Sequence, residues 1–219
     1  RTIISDRNMK MLGVFEKSLL SLGDVAGSVY FSDSRVFRAI STRAELDIRE
    51  LLGSGLIDEL VTKGLFPTTH ISSTTIGESA LVLEHERIAP VTYPFEWSPE
   101  MLRRAALCVL EVNSIANKYG YELKDAHPYN VVFKGTKAIF IDFGSIVKRQ
   151  SETGWLAYLE FLAYYYYPLR VRARGLIGTF KRLFFLKISI GEIASLSGGL
   201  LQIFGQSGCS GFGGGSAGF

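Results

Sequence analysis

Apolar positions change their period several times along this chain. Met9–Leu22 is weakly helical. In Gly27–Ile40 two β-favouring runs flank Ser-Asp-Ser, which predicts a hairpin. Ser41–Lys63 returns to helical spacing, with Thr42 as the expected cap and Glu45 completing a capping box. Gly53 and Gly55 are expected to divide this stretch into two helices. Leu81–His85 and Ala89–Tyr93 alternate as strands. Ser98-Pro99-Glu100 opens a helix with a cap residue, a first-turn proline and an acid at the positive end. Leu102, Ala106, Val109, Leu110, Asn113 and Ala116 recur along that helix until Gly120. Val131–Phe133 and Ala138–Ile141 predict two short strands about a Gly135-Thr136 turn. From Val147 to about Ser197 the pattern is helical.

This order predicts an α+β fold in two lobes: a small β-rich N-lobe over 1–97 and a short, mostly helical C-lobe over 98–197. The boundary is expected near Pro94–Ser98. Nine of the last 22 residues, from Gly198, are glycine. Such a tail cannot bury a core, so 198–219 is expected to be disordered. No internal repeat is visible.

Composition narrows the function. A chain of 219 residues, 47% hydrophobic, can bury a real core. A net charge of +3 gives no reason to expect nucleic acid. Between Pro168 and Ile190 stand Arg170, Arg172, Arg174, Lys181, Arg182 and Lys187 with no acid, either a solvated helix face or a surface for an acidic partner or anionic lipid. Leu156–Leu169 is too short for a membrane span and is interrupted by Glu160, so a buried helix is expected there and no transmembrane segment. Cys108 and Cys209 have no metal-type spacing and imply no disulfide framework; a cytoplasmic location is the expectation. His70 and His85 lack partners at metal spacing and read as structural.

The chemistry concentrates in YELKDAHPYNVVFKGTKAIFIDFGSI, Tyr121 to Ile146. Asp125 and Asn130 lie five residues apart in a loop, and a hairpin returns Asp142 toward them. Phosphoryl transfer from a nucleotide needs a carboxylate to orient the acceptor hydroxyl, hard oxygen ligands for magnesium and a cation for the phosphates. This spacing permits one shared site for all of them.

Asp125-x4-Asn130 followed by Asp142-Phe143-Gly144 resembles the catalytic and magnesium loops of the protein-kinase-like fold. DAHPYN is similar to the Asp-x-His-Pro-x-Asn loop of aminoglycoside and choline phosphotransferases. LEHERIAPVTYPFEWSPEML, LKDAHPYNV and FIDFGSI resemble the kinase-like region of bacterial proteins that also carry a class I SAM-dependent methyltransferase module. The resemblance implies Asp125 as the hydroxyl-orienting residue, with His127 near the transferred phosphate or shaping the loop. It implies Asn130 and Asp142 as Mg2+ ligands and ATP as the nucleotide. Arg38 stands where the family has a phosphate-holding lysine, with Glu50 or Glu59 as its acidic partner. Tyr93, Phe95 and Glu96 belong to the linker against which adenine would pack.

The implied function is transfer of the ATP γ-phosphate to a small-molecule hydroxyl. The chain departs from the pattern in three places. Gly23–Ser28 is a poor phosphate loop, Arg38 replaces lysine, and Leu123-Lys124 replaces the usual His-Arg or His-Gly. These departures define the alternative, a kinase-like accessory domain serving a methyltransferase module on the same or another chain.

Overall fold

The computed structural model describes residues 15–18, 27–32, 35–150 and 154–173. Five strands form an antiparallel sheet in the order β1-β2-β3-β5-β4: β1 (Glu16–Lys17), β2 (Gly27–Ser32), β3 (Arg35–Ile40), β4 (Thr69–Ile71) and β5 (Leu81–Glu86). The predicted hairpin is β2–β3, with Val29 opposite Arg38 and Gly27 opposite Ile40. Gly27 is required there, since its φ is 152° and a Cβ would meet the Ala39 carbonyl oxygen at 2.1 Å. Strand alternation puts Phe37 and Ala39 on one face with Ile76 and Val82, in a small cluster. Arg38, Ile40, Leu83 and His85 share the other face, which looks toward the helices.

Two helices, α1 (Glu45–Gly53) and α2 (Leu56–Thr62), follow β3, divided at Gly53–Gly55. The expected capping box is not formed. Ala44 is the N-cap, with no side-chain bond, and Glu45 instead binds Arg49 one turn on, at 2.8 Å. The strand expected at Ala89–Tyr93 is also absent. Pro90 cannot donate to a ladder, and the chain passes through a cis Ala89–Pro90 bond into a 3-10 turn at Pro94–Glu96. The described part of Met9–Leu22 is the short strand β1 rather than a helix.

Ser98 then caps α3 (Pro99–Lys118) by accepting the Met101 N–H. Leu102, Ala105, Ala106, Val109, Val112, Ile115 and Ala116 are buried along it. Leu110, counted in the expected apolar stripe, is exposed on the far side. After Gly120, at φ 80°, come β6 (Tyr121–Leu123), β7 (Val131–Lys134), β8 (Lys137–Phe140) and β9 (Ile146–Lys148). β7 pairs with β8 as predicted, and β6 pairs with β9. Helix resumes only at α4 (Tyr158–Phe161), continues through a π-helical turn at Leu162–Tyr166, and runs on in α5 (Tyr167–Ala173), up to the last described residue. The expected buried helix is therefore partly exposed, at Tyr158, Leu159 and Tyr166.

One core joins these parts. Ile40, Leu81 and Leu83 from the sheet meet Leu102, Val109 and Val112 of α3, then Phe140, Phe143 and Tyr165. Among the described residues no helix is long and apolar enough to cross a membrane. The Gly23–Ala26 segment, Arg174, Lys181, Arg182, Lys187, Cys209, the helix expected to Ser197 and the 198–219 tail lie outside the described residues.

Candidate functional site

The loop that carries Asp125 is held from three directions. At the end of β6, the Leu123 N–H donates to the buried Asn113 Oδ1 of α3 at 2.9 Å. The Leu123 carbonyl accepts the Trp155 indole N–H at 2.7 Å. The Lys124 N–H donates to the Ser145 carbonyl at 2.9 Å. Ser145, fully buried, then grips the next residue twice. Its hydroxyl donates to the Asp125 carbonyl at 3.0 Å and accepts the Asp125 N–H at 3.1 Å. Asp125 Oδ1 accepts the His127 N–H at 2.6 Å, a local turn that fixes the carboxylate.

The next residues form a 3-10 turn at Pro128–Asn130. His127 caps it, Nδ1 accepting the Tyr129 N–H at 3.4 Å, while the ring packs 4.5 Å from Tyr164 and 5.2 Å from Tyr129. The Asn130 carbonyl accepts the Ile141 N–H at 2.8 Å, which sets Asn130 beside the start of the Asp142 turn. Asp142 Oδ1 accepts the Gly144 N–H at 3.0 Å and lies 3.8 Å from Arg38 Nη2.

Asp125, His127, Asn130, Asp142 and Arg38 are thus brought together by loop, hairpin and sheet. Phe143 sits beneath them, fully buried, 6.0 Å from the His85 ring and 6.1 Å from Phe66. His85 accepts or donates at Nδ1 with Thr69 Oγ1 at 2.8 Å. Its pKa is lowered to about 3, by burial first and then by Arg38 and His70.

The linker residues lie at the edge of this group. Tyr93 and Phe95 stack nearly parallel at 5.6 Å, and Tyr93 comes within 6.2 Å of Tyr129. The Glu96 carboxylate accepts the Tyr93 N–H at 2.7 Å, so it closes its own turn. The acidic partner expected for Arg38 is different. Glu50 pairs with Lys148 at 2.6 Å, and Glu59 accepts the Tyr119 hydroxyl at 2.7 Å. Asp142 is a carboxylate that Arg38 meets.

Two residues of the site are absent from the expected set. Ser145 is one. The other is Glu160 of α4, whose Oε2 accepts the Ala126 N–H at 2.7 Å, next along the chain from Asp125. Its pKa is raised to about 7 by burial, opposed by the Ala126 N–H and reinforced by the Asp125 charge. The signal for Glu160 was present in the sequence. It is the one acid in an apolar, tyrosine-rich run, and a half-buried carboxyl needs a partner.

Asn130 and Asp142 are the residues here that could offer oxygen to a hard cation. The Asn130 amide nitrogen is buried without a hydrogen-bond partner, a donor that asks for an acceptor such as a phosphate oxygen rather than for a cation. Among the described residues no three or more His, Cys, Asp or Glu gather as a self-sufficient metal cage. Asn130 and Asp142 would supply two oxygens, and an ion that keeps waters and shares phosphate oxygens needs few more.

No protein-family model matches the chain. Among curated proteins it is 29% identical over 160 residues to nodulation protein NoeA of Rhizobium meliloti (strain 1021), a match covering 70% of this chain. The chain spans about a third of the length of that relative, 33%. Among solved structures, that of vaccinia related kinase 3 aligns at 10% identity with a TM-score of 0.41, over 61% of this chain and 48% of that one.

Proposed function

We propose that this chain is a kinase-like, magnesium-dependent phosphotransferase that moves the γ-phosphoryl group of ATP to a hydroxyl of a small molecule. The observation that carries the proposal is the convergence of Asp125, Asn130 and Asp142, tied together by Ser145 and by the Ile141–Asn130 backbone bond. Asp125 orients the acceptor hydroxyl and receives its proton as the new P–O bond forms and the bond to ADP breaks. Asn130 and Asp142 hold the ion, which when bound neutralises phosphate charge. Arg38, on the sheet face above, holds phosphate, and Tyr93 and Phe95 offer ring faces to the adenine. His127 shapes the loop through its cap and its packing on Tyr164. Rate enhancement then rests on positioning and electrostatics.

A second reading has its own observation. The Arg38 guanidinium already faces Asp142, the carboxylate that would bind the ion. An arginine in that place competes with a metal, as expected of an accessory domain that keeps the fold without the chemistry. In this reading the partner is a methyltransferase module, and the greater length of the relative named for nodulation leaves room for one there.

Calorimetry of ATP binding with and without magnesium, on the wild type and on Asp142→Asn, separates the two. The phosphotransferase reading expects binding that needs magnesium and weakens tenfold or more, about 1.4 kcal/mol, in the variant. Equal or absent binding in all four titrations supports the accessory reading.

A further inference from the structure

We propose that His85 is a positioning residue for Arg38, offering its buried Nε2 as a second seat for the guanidinium when a cation takes Asp142. This role deepens the reading given above and rests on it for the cation, but not for its first test.

The bonds around the ring fix its tautomer. Thr69 Oγ1 carries one proton and donates it to the Pro67 carbonyl at 2.9 Å. The same oxygen lies 2.8 Å from His85 Nδ1, so there it accepts, and Nδ1 carries the ring proton. Nε2 is then a lone pair. It is buried and has no hydrogen-bond partner, and His85 as a whole is 9% exposed. A buried acceptor left open asks for a donor. Burial first, then Arg38 and His70, hold the His85 pKa at about 3, so the ring stays a neutral acceptor at neutral pH.

The sheet brings a donor within reach. Across β3–β5, Arg38 stands opposite Leu83 and Val36 opposite His85. Arg38 and His85 are therefore diagonal neighbours on the inner face. Such pairs lie about 7–8 Å apart, a span that a long side chain covers. The Arg38 side chain is itself inside, 8% exposed. In the ligand-free chain its Nη2 lies 3.8 Å from Asp142 Oδ1, farther than a hydrogen bond. That oxygen already accepts the Gly144 N–H at 3.0 Å. Phe143, the neighbour of Asp142, packs 6.0 Å from the His85 ring, so the two acceptors lie around one side chain.

A second seat resolves a conflict of charge. An ion at Asp142 sets two cations against one carboxylate, and like charges so close repel. The guanidinium then gains by leaving, and a neutral acceptor receives it without adding charge. Its five N–H donors form a fixed fork. One rests on His85 Nε2 while others stay turned toward a phosphate oxygen. Arg38 thus keeps its place beside the phosphates and gives up the oxygen that the ion needs.

The first test reads the His85 ring nitrogens by nitrogen NMR of the full chain, without nucleotide. It compares the wild type, Asp142→Asn, and Asp142→Asn combined with Arg38→Met. Asparagine keeps an oxygen for the Gly144 N–H and removes the charge that draws Arg38. In the wild type Nδ1 is expected to be the protonated nitrogen and Nε2 an unprotonated one with no bond. In Asp142→Asn the Nε2 signal is expected to move toward that of a hydrogen-bonded nitrogen, and to return in the double variant. An Nε2 signal that stays at its wild-type position overturns the proposal, as does a ring protonated at Nε2. The second test is calorimetry of ATP binding against magnesium. His85→Phe is expected to raise the magnesium needed for half-maximal binding several-fold. His85→Gln, which keeps an acceptor at the end of the side chain, is expected to restore it. Equal magnesium demand in all three chains overturns the role. If the wild type binds no ATP, the phosphotransferase reading fails, and the nitrogen signals still decide where Arg38 sits.

Discussion

Ser145 shows how much one small side chain can fix. It is fully buried, and its hydroxyl serves both the N–H and the carbonyl of Asp125, across 20 residues of chain. Ser145→Ala leaves a part-buried donor and a part-buried acceptor of Asp125 unpaired, which costs about 1–3 kcal/mol. The expected outcome is a lower Tm in thermal unfolding, with faster amide exchange at Asp125 and Ala126. At this scale the sequence was readable where neighbours in the chain make the site. Asp125, His127 and Asn130 lie within six positions, and a hairpin brings back Asp142. It was unreadable where the partner is remote. Glu160 reaches Ala126 from 34 residues away, and Arg38 meets Asp142 rather than Glu50 or Glu59. No local pattern encodes such a pairing.

Among the elements, α3 acts as the bench on which the loop is mounted. Asn113 is buried in its inner face and turns its amide oxygen to the first residue of the loop approach, Leu123. Asn113→Ala leaves that N–H without a partner and is expected to cost about 1–3 kcal/mol. Chemical denaturation is expected to show a lower midpoint with an unchanged slope. Element prediction succeeded where caps and turns were strong: Ser98-Pro99 for α3, and Gly135-Thr136 for β7–β8. It failed where composition hid the role. β6 contains Glu122, almost fully buried, which accepts the Leu156 N–H; alternation marks it as a solvent-facing position, but both faces of the strand are covered. β4 is three residues, Thr-His-Ile, too short to show a period. Ala89–Tyr93 shows the reverse error, a convincing alternation stopped by the missing N–H of Pro90.

Among the described residues one main core crosses from sheet to helices. Phe143 is its keystone, in contact with His85 above and Phe66 beside it. Removing its ring in Phe143→Ala is expected to cost about 3–5 kcal/mol. Calorimetry is expected to show one cooperative transition that moves as a unit to lower temperature, with no separate melting of sheet and helices. The α+β plan, a strand-rich part followed by a longer helix, was legible from the order of strand and helix periods alone. The continuity of the core was not, since it depends on which faces meet. That continuity also bears on descent. A region whose sheet and helices share their interior can be lent to a larger protein, fused or duplicated only in one piece, because either half taken alone would carry its apolar side bare. Joints for shuffling are therefore expected outside this core rather than between its sheet and its helices.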